Sequence, residues 1–492
     1  MTTTDLDRDH LGQVAARAVA WNYASFASGK LLVLVTMAVL ARLLTPEEFG
    51  IVGFVTLAVA YLSVLKDLGL GAAVIQRRGD VEEASQTVFV MNLVIGAILT
   101  TVTALSAPLV AGFFREPLVT PLLRVLAFSF ILESLGSMHV VLLRRDLAFR
   151  RKLVPDIGRS IVKGSVAIAT AATGFGVWAL VWGQLAGVIT AVVLSWAVVP
   201  WRPSFRFHRH LLRPLARFGA PMLVTDIQYA IWSNLDYVVV GRMLGDAALG
   251  VYTLAYRLPE LLIHSVWRVL AGAIFPVFSR LQDDRDALRR GFLATIRYTQ
   301  MVIVPLSLGL LITAQPAVDV LFGERWGAVA PLLQVMALFS LVASIGVNAG
   351  DVYKAIGRPD ILAKLSLIEL VAFVPALVYA ARFGIIGVAW AHAAVATVDT
   401  VIRLIVARAL IGTSLRDVAR QLVPSLAAGA WLAAAAIPTL AVTSGLAPLL
   451  SLVATGITGA AAYAIALWRL DNAAVRRLAG WVGFGRAAGE SS

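Results

Sequence analysis

Long apolar stretches alternate with short arginine-rich ones along the whole chain. A hydrocarbon core of ~30 Å needs roughly 20 apolar residues to cross as helix, and nearly every apolar stretch here reaches that length. The pattern predicts an all-α integral membrane protein with about 14 transmembrane helices. They fall near 18–41, 47–65, 86–112, 119–143, 153–173, 176–199, 218–241, 247–270, 298–322, 327–350, 361–381, 384–402, 420–440 and 447–468.

The pattern also repeats. Ala41-Arg42-Leu43-Leu44 through Gly50 aligns with Gly241-Arg242-Met243-Leu244 through Gly250. Pro121-Leu122-Leu123 through Ala127 aligns with Pro331-Leu332-Leu333 through Ala337, and Phe175-Gly176 with Trp182 aligns with Phe383-Gly384 and Trp390. These matches keep one order and nearly one offset. A repeat of six helices is even, so both copies enter the membrane from the same side. The expected architecture is two pseudo-symmetric six-helix lobes related by an axis along the membrane normal, followed by two further helices. The predicted domains are a cytoplasmic segment 1–17, an N-lobe 18–209, a C-lobe 210–411, helices 13 and 14 within 412–470, and a cytoplasmic tail 471–492. In two-lobed transporters the substrate site lies between the lobes, which rock to give alternating access.

Composition agrees with this class. Hydrophobic residues make up 59% of 492 and mean hydropathy is +0.83, too apolar for a soluble chain. No polar segment is long enough to fold alone. Met1 to His10 carries Asp5, Asp7 and Asp9 and lacks a basic n-region, so it is expected to be retained. Cysteine is absent, which excludes disulfides, Cys-ligated zinc and iron–sulfur clusters. No cofactor or metal is expected.

The net charge of +13 is explained by where the cations sit. With the N-terminus inside, most of the 42 Lys and Arg fall on the inner connections and termini, as in Arg144, Arg145, Arg150, Arg151 and Lys152. Only Arg42, Arg115, Arg242, Arg325 and Arg382 fall on the outer ones. This positive-inside bias places both termini in the cytoplasm. The basic excess then reads as topology and contact with anionic lipid, without nucleic acid as a partner.

Charges inside the spans carry the candidate chemistry, because each costs about 2.5–3.5 kcal/mol on insertion scales and needs a partner or a watery cavity. The eighth span holds Arg257, Glu260, His264 and Arg268 along one stripe, with Pro259 expected to kink it. Two readings stand: an internal Arg257–Glu260 pair with snorkelling ends, or a cationic stripe lining a cavity. The fifth span holds Asp156, Arg159, Ser160 and Lys163 on one face, where Asp156 could simply pair with Arg159. Lys30 lies inside the first span with no local carboxylate, and Arg124 lies about a turn inside the fourth. The acidic set is Glu133, Asp226, Asp236, Glu369 and Asp399. Such carboxylates either counter the basic residues or serve as proton or Na⁺ sites. His264 is open between a titrating and a structural role. Trp178, Trp182 and Trp326 fall near predicted outer ends and read as an aromatic belt. Trp232 and Trp267 lie deeper, as core or as sugar-stacking platforms.

Two stretches carry a resemblance. Asn234-Leu235-Asp236-Tyr237-Val238-Val239-Val240-Gly241-Arg242-Met243-Leu244-Gly245 followed by Gly250-Val251-Tyr252, and Leu43-Leu44-Thr45-Pro46-Glu47-Glu48-Phe49-Gly50, resemble segments of polysaccharide exporters. The chain is similar over about residues 11–470 to lipid-linked oligosaccharide flippases of the MOP superfamily, near the branch of WzxC and teichuronic-acid exporters. The resemblance implies a V-shaped transporter that turns a polyprenyl-diphosphate-linked glycan across the cytoplasmic membrane, with H⁺ or Na⁺ as coupling ion. It also implies contact with membrane lipids and other polysaccharide-assembly proteins. Cationic cavity residues of that family have compatible counterparts in Lys30, Arg257 and Arg268, with Arg159 and Lys163 as further candidates. Asp236, Asp226, Glu260, Glu369 and Asp399 are the ion-coupling candidates. Two rivals remain at this level. A multidrug antiporter of the same superfamily would usually lack the last two helices, and a membrane glycosyltransferase or polymerase would usually carry a sizeable outer loop or cytoplasmic domain. No P-loop is present.

Overall fold

The computed structural model describes residue 29 and residues 32–77 and 79–483, with backbone only at 268–273 and 478–483. Lys30 and most of the first predicted span lie outside the described residues. The chain divides into two units, with the boundary after Gly250.

The first unit contains α1 (Leu32–Leu43), α2 (Pro46–Ser63), α3 (Leu70–Gln76), α4 (Val81–Phe114), α5 (Val119–Arg145), α6 (Phe149–Ala172), α7 (Trp178–Val198), α8 (Arg209–Leu244) and the start of α9 (Asp246–Pro259). The second unit continues α9 through a π-helical turn, Glu260–His264, into α10 (Ser265–Arg280). It then runs through α11 (Arg285–Ile312), α12 (Ala314–Leu321), α13 (Val329–Gly346), α14 (Ala349–Ala355), α15 (Pro359–Ala380), α16 (Gly384–Ile411), α17 (Leu415–Thr443) and α18 (Pro448–Gly483).

The protein is an all-α, multi-pass membrane protein. Among the described residues nine helical stretches are long and apolar enough to cross a bilayer, and two of them are each two helices: Val329–Ala355 is α13 and α14, and Pro359–Ile411 is α15 and α16. Large apolar side chains face outward, such as Leu105, Leu109 and Val442, as expected where lipid replaces water. The helical stretches that fall short of this apolarity are α6, α8 and the α9–α10 run. These segments carry Asp156, Arg159, Lys163, Asp226, Asp236, Arg257, Glu260 and Arg268, whereas Glu133, Glu369 and Asp399 lie on the apolar α5, α15 and α16.

Each predicted span from the second onward falls on helix, but its limits often shift. The span at 86–112 extends to Val81–Phe114, and that at 218–241 extends to Arg209–Leu244. Amphipathic turns continue a helix past the apolar stretch, so hydropathy alone underestimates it. The span at 298–322 divides into α11 and α12, and the last span runs on through a kink at Asp471. Trp326 is fully buried, which removes it from the aromatic belt.

Local sequence explains several of these elements. Thr45 and Glu48 form a reciprocal capping box that starts α2, with Pro46 in its first turn. Ser414 and Asp417 do the same for α17. The core of the first unit joins α3, α4, α5 and α8 through Leu70, Val74, Phe89, Met138, Leu211 and Leu215. In the second unit α17 and α18 pack on α11 through Met301, Val304, Leu432 and Tyr463. The last two helices are therefore an integral layer of that unit.

Two close helix contacts depend on glycine. Gly183 and Gly187 form a Gly-x-x-x-Gly face on α7 that lets α6 approach. A Cβ at Gly187 would lie 2.8 Å from Lys163 Cβ, and one at Gly183 would lie 2.7 Å from the Lys163 carbonyl oxygen. The second contact is reciprocal. A Cβ at Gly50 would lie 1.8 Å from the Asp246 carbonyl oxygen, and one at Gly250 would lie 2.0 Å from the Pro46 carbonyl oxygen. The two segments aligned at an offset of 200 thus cross each other, each glycine receiving the start of the other's helix.

Gly50→Ala should lower stability by about 1–3 kcal/mol, since the added methyl meets backbone that must move. Gly112→Ala, with nothing within 4 Å of its added carbon, serves as the control. Thermal unfolding in detergent should separate the two, and equal melting temperatures would refute the crossing as a steric constraint.

Candidate functional site

The second predicted span, 47–65, is α2 up to Ser63. After α2 the chain makes a turn over 64–69, with Leu68 at φ +47° and Gly69 at φ +73°, before α3 resumes. Glycine tolerates that left-handed backbone, and the Gly69 region meets Gly219 of α8 backbone to backbone: a Cβ at Gly219 would lie 2.3 Å from the Leu68 carbonyl oxygen. Non-helical backbone within a membrane segment survives only where protein or a hydrated cavity surrounds it.

Lys66 stands in this interruption. Its ammonium donates to Glu133 Oε2 at 2.7 Å, while Arg159 of α6 donates to Glu133 Oε1 at 2.9 Å. Glu133 is near the midpoint of α5, about 20 Å of helix from either end at ~1.5 Å per residue. The next residue, Asp67, accepts from the Gly71 N–H and from the Asn92 amide. Asp156, for which pairing with Arg159 is one of the open readings, pairs with Lys152 one turn earlier. Arg159 is drawn instead to Glu133 on the neighbouring helix. Lys163 sits one turn further along α6 at the α7 contact. Arg124 donates to the Ala104 carbonyl, away from this group.

At the offset of 200 the second unit departs from regular helix just ahead of the place that matches the 64–69 turn. The π-helical turn Glu260–His264 follows Pro259, whose missing N–H disturbs the regular ladder. Arg257 donates to Glu260 at 2.8 Å across this junction. His264 stacks on Trp267 with ring centroids 4.7 Å apart, and its Nε2 lies 3.3 Å from Ser340 Oγ. Arg268 follows on the same run, in the part where only the backbone is described. The Tyr252 hydroxyl pairs with His392 Nε2 at 2.9 Å, and Phe339 and Phe373 pack edge-on against that imidazole.

Glu369 and Asp399 belong to a separate group. Arg403 donates to Glu369 at 3.2 Å and to Asp399 at 2.5 Å, and all three side chains are largely buried between α15 and α16. Tyr353 of α14 donates to the Arg403 carbonyl oxygen. On α8, Asp236 is buried, whereas Asp226 and Trp232 are exposed. Among the described residues no group of three or more His, Asp or Glu is arranged to hold a metal.

Lys66 and Arg403 each lie one residue past a predicted span, 47–65 and 384–402, so they fall among the inner cations and their place in these groups is missed. Gly69 and Gly71 beside Asp67 mark the first interruption, and Asp399 four residues before Arg403 marks the second pair.

Residues 39–331, more than half of the chain, match the family described as polysaccharide biosynthesis protein. The chain belongs to this family. A relative, the teichuronic acid biosynthesis protein TuaB of Bacillus subtilis, is 28% identical over 386 residues, covering 78% of this chain and 80% of that one. Among solved structures, the lipid II flippase MurJ in an inward closed conformation matches with a TM-score of 0.71 at 14% identity, over 92% of this chain and 98% of that one. An inward-facing multidrug resistance transporter of the MATE family, in the MOP superfamily, matches with a TM-score of 0.62 at 19% identity, over 78% and 94%. At these identities the structural matches establish the fold, which this family member shares.

Arg403→Ala should strand Glu369 and Asp399 together and cost about 3–5 kcal/mol, as for other broken buried pairs. Replacing all three by Gln, Asn and Met should recover most of that loss. Thermal unfolding of the single and triple variants checks this, and an unperturbed single variant would refute the bridging role.

Proposed function

We propose that this protein flips a polyprenyl-diphosphate-linked oligosaccharide across the cytoplasmic membrane during surface polysaccharide synthesis, by alternating access. The observation that carries this reading is that each repeat departs from regular helix in the same region, with a cation in or beside each departure. Interrupted helices at matching positions of a repeat are the best structural pointer to a transport site. Lys66 marks the first, with Arg159 and Lys163 on the neighbouring α6; Arg257 marks the second, with Arg268 beyond it. A diphosphate is a multiply charged anion, and guanidinium groups hold such anions through charge-assisted hydrogen bonds. Lys30, which lies outside the described residues, is a further candidate from the sequence. The prenyl chain stays in lipid while the headgroup crosses.

Membership in a family of polysaccharide biosynthesis proteins supports this substrate class. The flippase fold covers 92% of the chain and the multidrug transporter fold 78%, which favours the flippase over an antiporter. A role in transport rather than catalysis fits the short connections between helices among the described residues. Both termini are assigned to the cytoplasm from the charge bias. Asp236, buried on α8, is the first candidate for H⁺ or Na⁺ coupling, ahead of Asp226, Glu260, Glu369 and Asp399.

Deleting the gene should leave lipid-linked oligosaccharide on the inner leaflet, and its glycan identifies the cargo. Complementation with Arg257→Ala or Lys30→Ala should fail to restore surface polysaccharide while the protein still inserts. Normal polysaccharide from both variants would overturn the role given to these cations. In proteoliposomes with an imposed ion gradient, Asp236→Asn should remove most of the gradient dependence of transport; unchanged dependence excludes Asp236 from coupling.

A further inference from the structure

We propose that Glu133 is an internal stand-in for a phosphate group, holding Lys66 and Arg159 in a phosphate-binding fork and yielding it to a lipid headgroup during transport. This rests on the reading of the protein as a flippase and assigns a specific role to a carboxylate within it.

Each Glu133 oxygen accepts from a different cation, Oε1 from Arg159 and Oε2 from Lys66. The three side chains come from three separate elements: the 64–69 turn, α5 and α6. Two cations aimed at the two oxygens of one carboxyl group form the same fork that the O–P–O edge of a phosphate would occupy. The carboxylate therefore presets the spacing of the cations while the fork is empty of ligand.

Charge favours the exchange. Lys66, Arg159 and Glu133 carry one formal positive charge among them. Among the described residues no other carboxylate pairs with either cation, since Asp67 is engaged by Gly71 and Asn92 and Asp156 by Lys152. A phosphate or diphosphate brings more charge and more acceptor oxygens than a single carboxylate, so it takes both cations in Glu133's place. The fork is also reachable: the Arg159 side chain is 37% exposed and Lys66 27%, against 21% for Glu133. The hinge for Lys66 is present as well, because it stands on turn backbone next to Leu68 and Gly69 rather than within a helix.

Glu133 would then act as a positioning residue that competes with the cargo. Competition weakens binding but speeds release, because the carboxylate is at hand to reclaim the cations. A merely structural carboxylate would make no such trade.

The test uses the full chain in nanodiscs and proteoliposomes, with undecaprenyl diphosphate and phosphatidylglycerol as separate probes. Glu133→Gln should bind undecaprenyl diphosphate about tenfold tighter and flip it more slowly, lowering KM and kcat together. Glu133→Asp should restore both toward wild type, and Lys66→Gln or Arg159→Gln should weaken binding. The same tightening with phosphatidylglycerol would support the fork with a membrane lipid as its occupant. Weaker or unchanged binding of both probes by Glu133→Gln, with or without a drop in melting temperature, would overturn the proposal. Wild-type protein that binds neither probe would overturn both this and the flippase reading, whereas wild-type binding of undecaprenyl diphosphate left unchanged by Glu133→Gln removes only the fork.

Discussion

A charge placed in hydrocarbon must be answered within the protein, and this constraint organises the molecule. Glu133 answers Lys66 and Arg159, Arg403 answers Glu369 and Asp399, and Asp471 at the α18 kink answers Arg297. Helices that carry such groups give up apolar surface. α6 compensates by close packing, its backbone seated against the Gly183–Gly187 face of α7. Polar helices are tolerated in the bilayer here because small residues let their neighbours come near.

The repeat solves one problem by two means. In the first half the interrupted helix is opened by a turn with two residues in left-handed conformation. In the second half it stays helical and is widened to a π turn after a proline. Both release a side chain from the regular helical stripe at about the same place. The turn gives Lys66 freedom to reach across to α5, while the π turn keeps Arg257 and Glu260 adjacent on one run. The two halves thus share a plan and differ in how firmly each holds its cation.

Much of this was legible in the sequence, and the reasons are physical. Apolar length alone located the helices, because a bilayer imposes one thickness on every span. The charges that break those spans were also visible, and Arg257 with Glu260 follows from helical spacing. Partners on other helices were not visible. Asp156 looked like the mate of Arg159 by spacing, yet Arg159 turns to Glu133, which lies 26 residues earlier in the chain. Lys66 read as an inner-face charge because it follows the apolar stretch, and its reach to Glu133 on α5 has no local signal. Trp326 read as an interfacial anchor and is a core residue, since hydropathy reports depth along a helix and not which way a side chain points.

The crossing at Gly50 and Gly250 has a consequence for how such a chain can diverge. Each glycine leaves room for backbone that belongs to the other copy of the repeat, Gly50 for Asp246 and Gly250 for Pro46. A change in one copy therefore has to be absorbed by the other. The duplicated halves are free to drift in their cargo-facing residues, but at this point they inherit as a pair, and a graft of either half from a relative must bring its own glycine to the join.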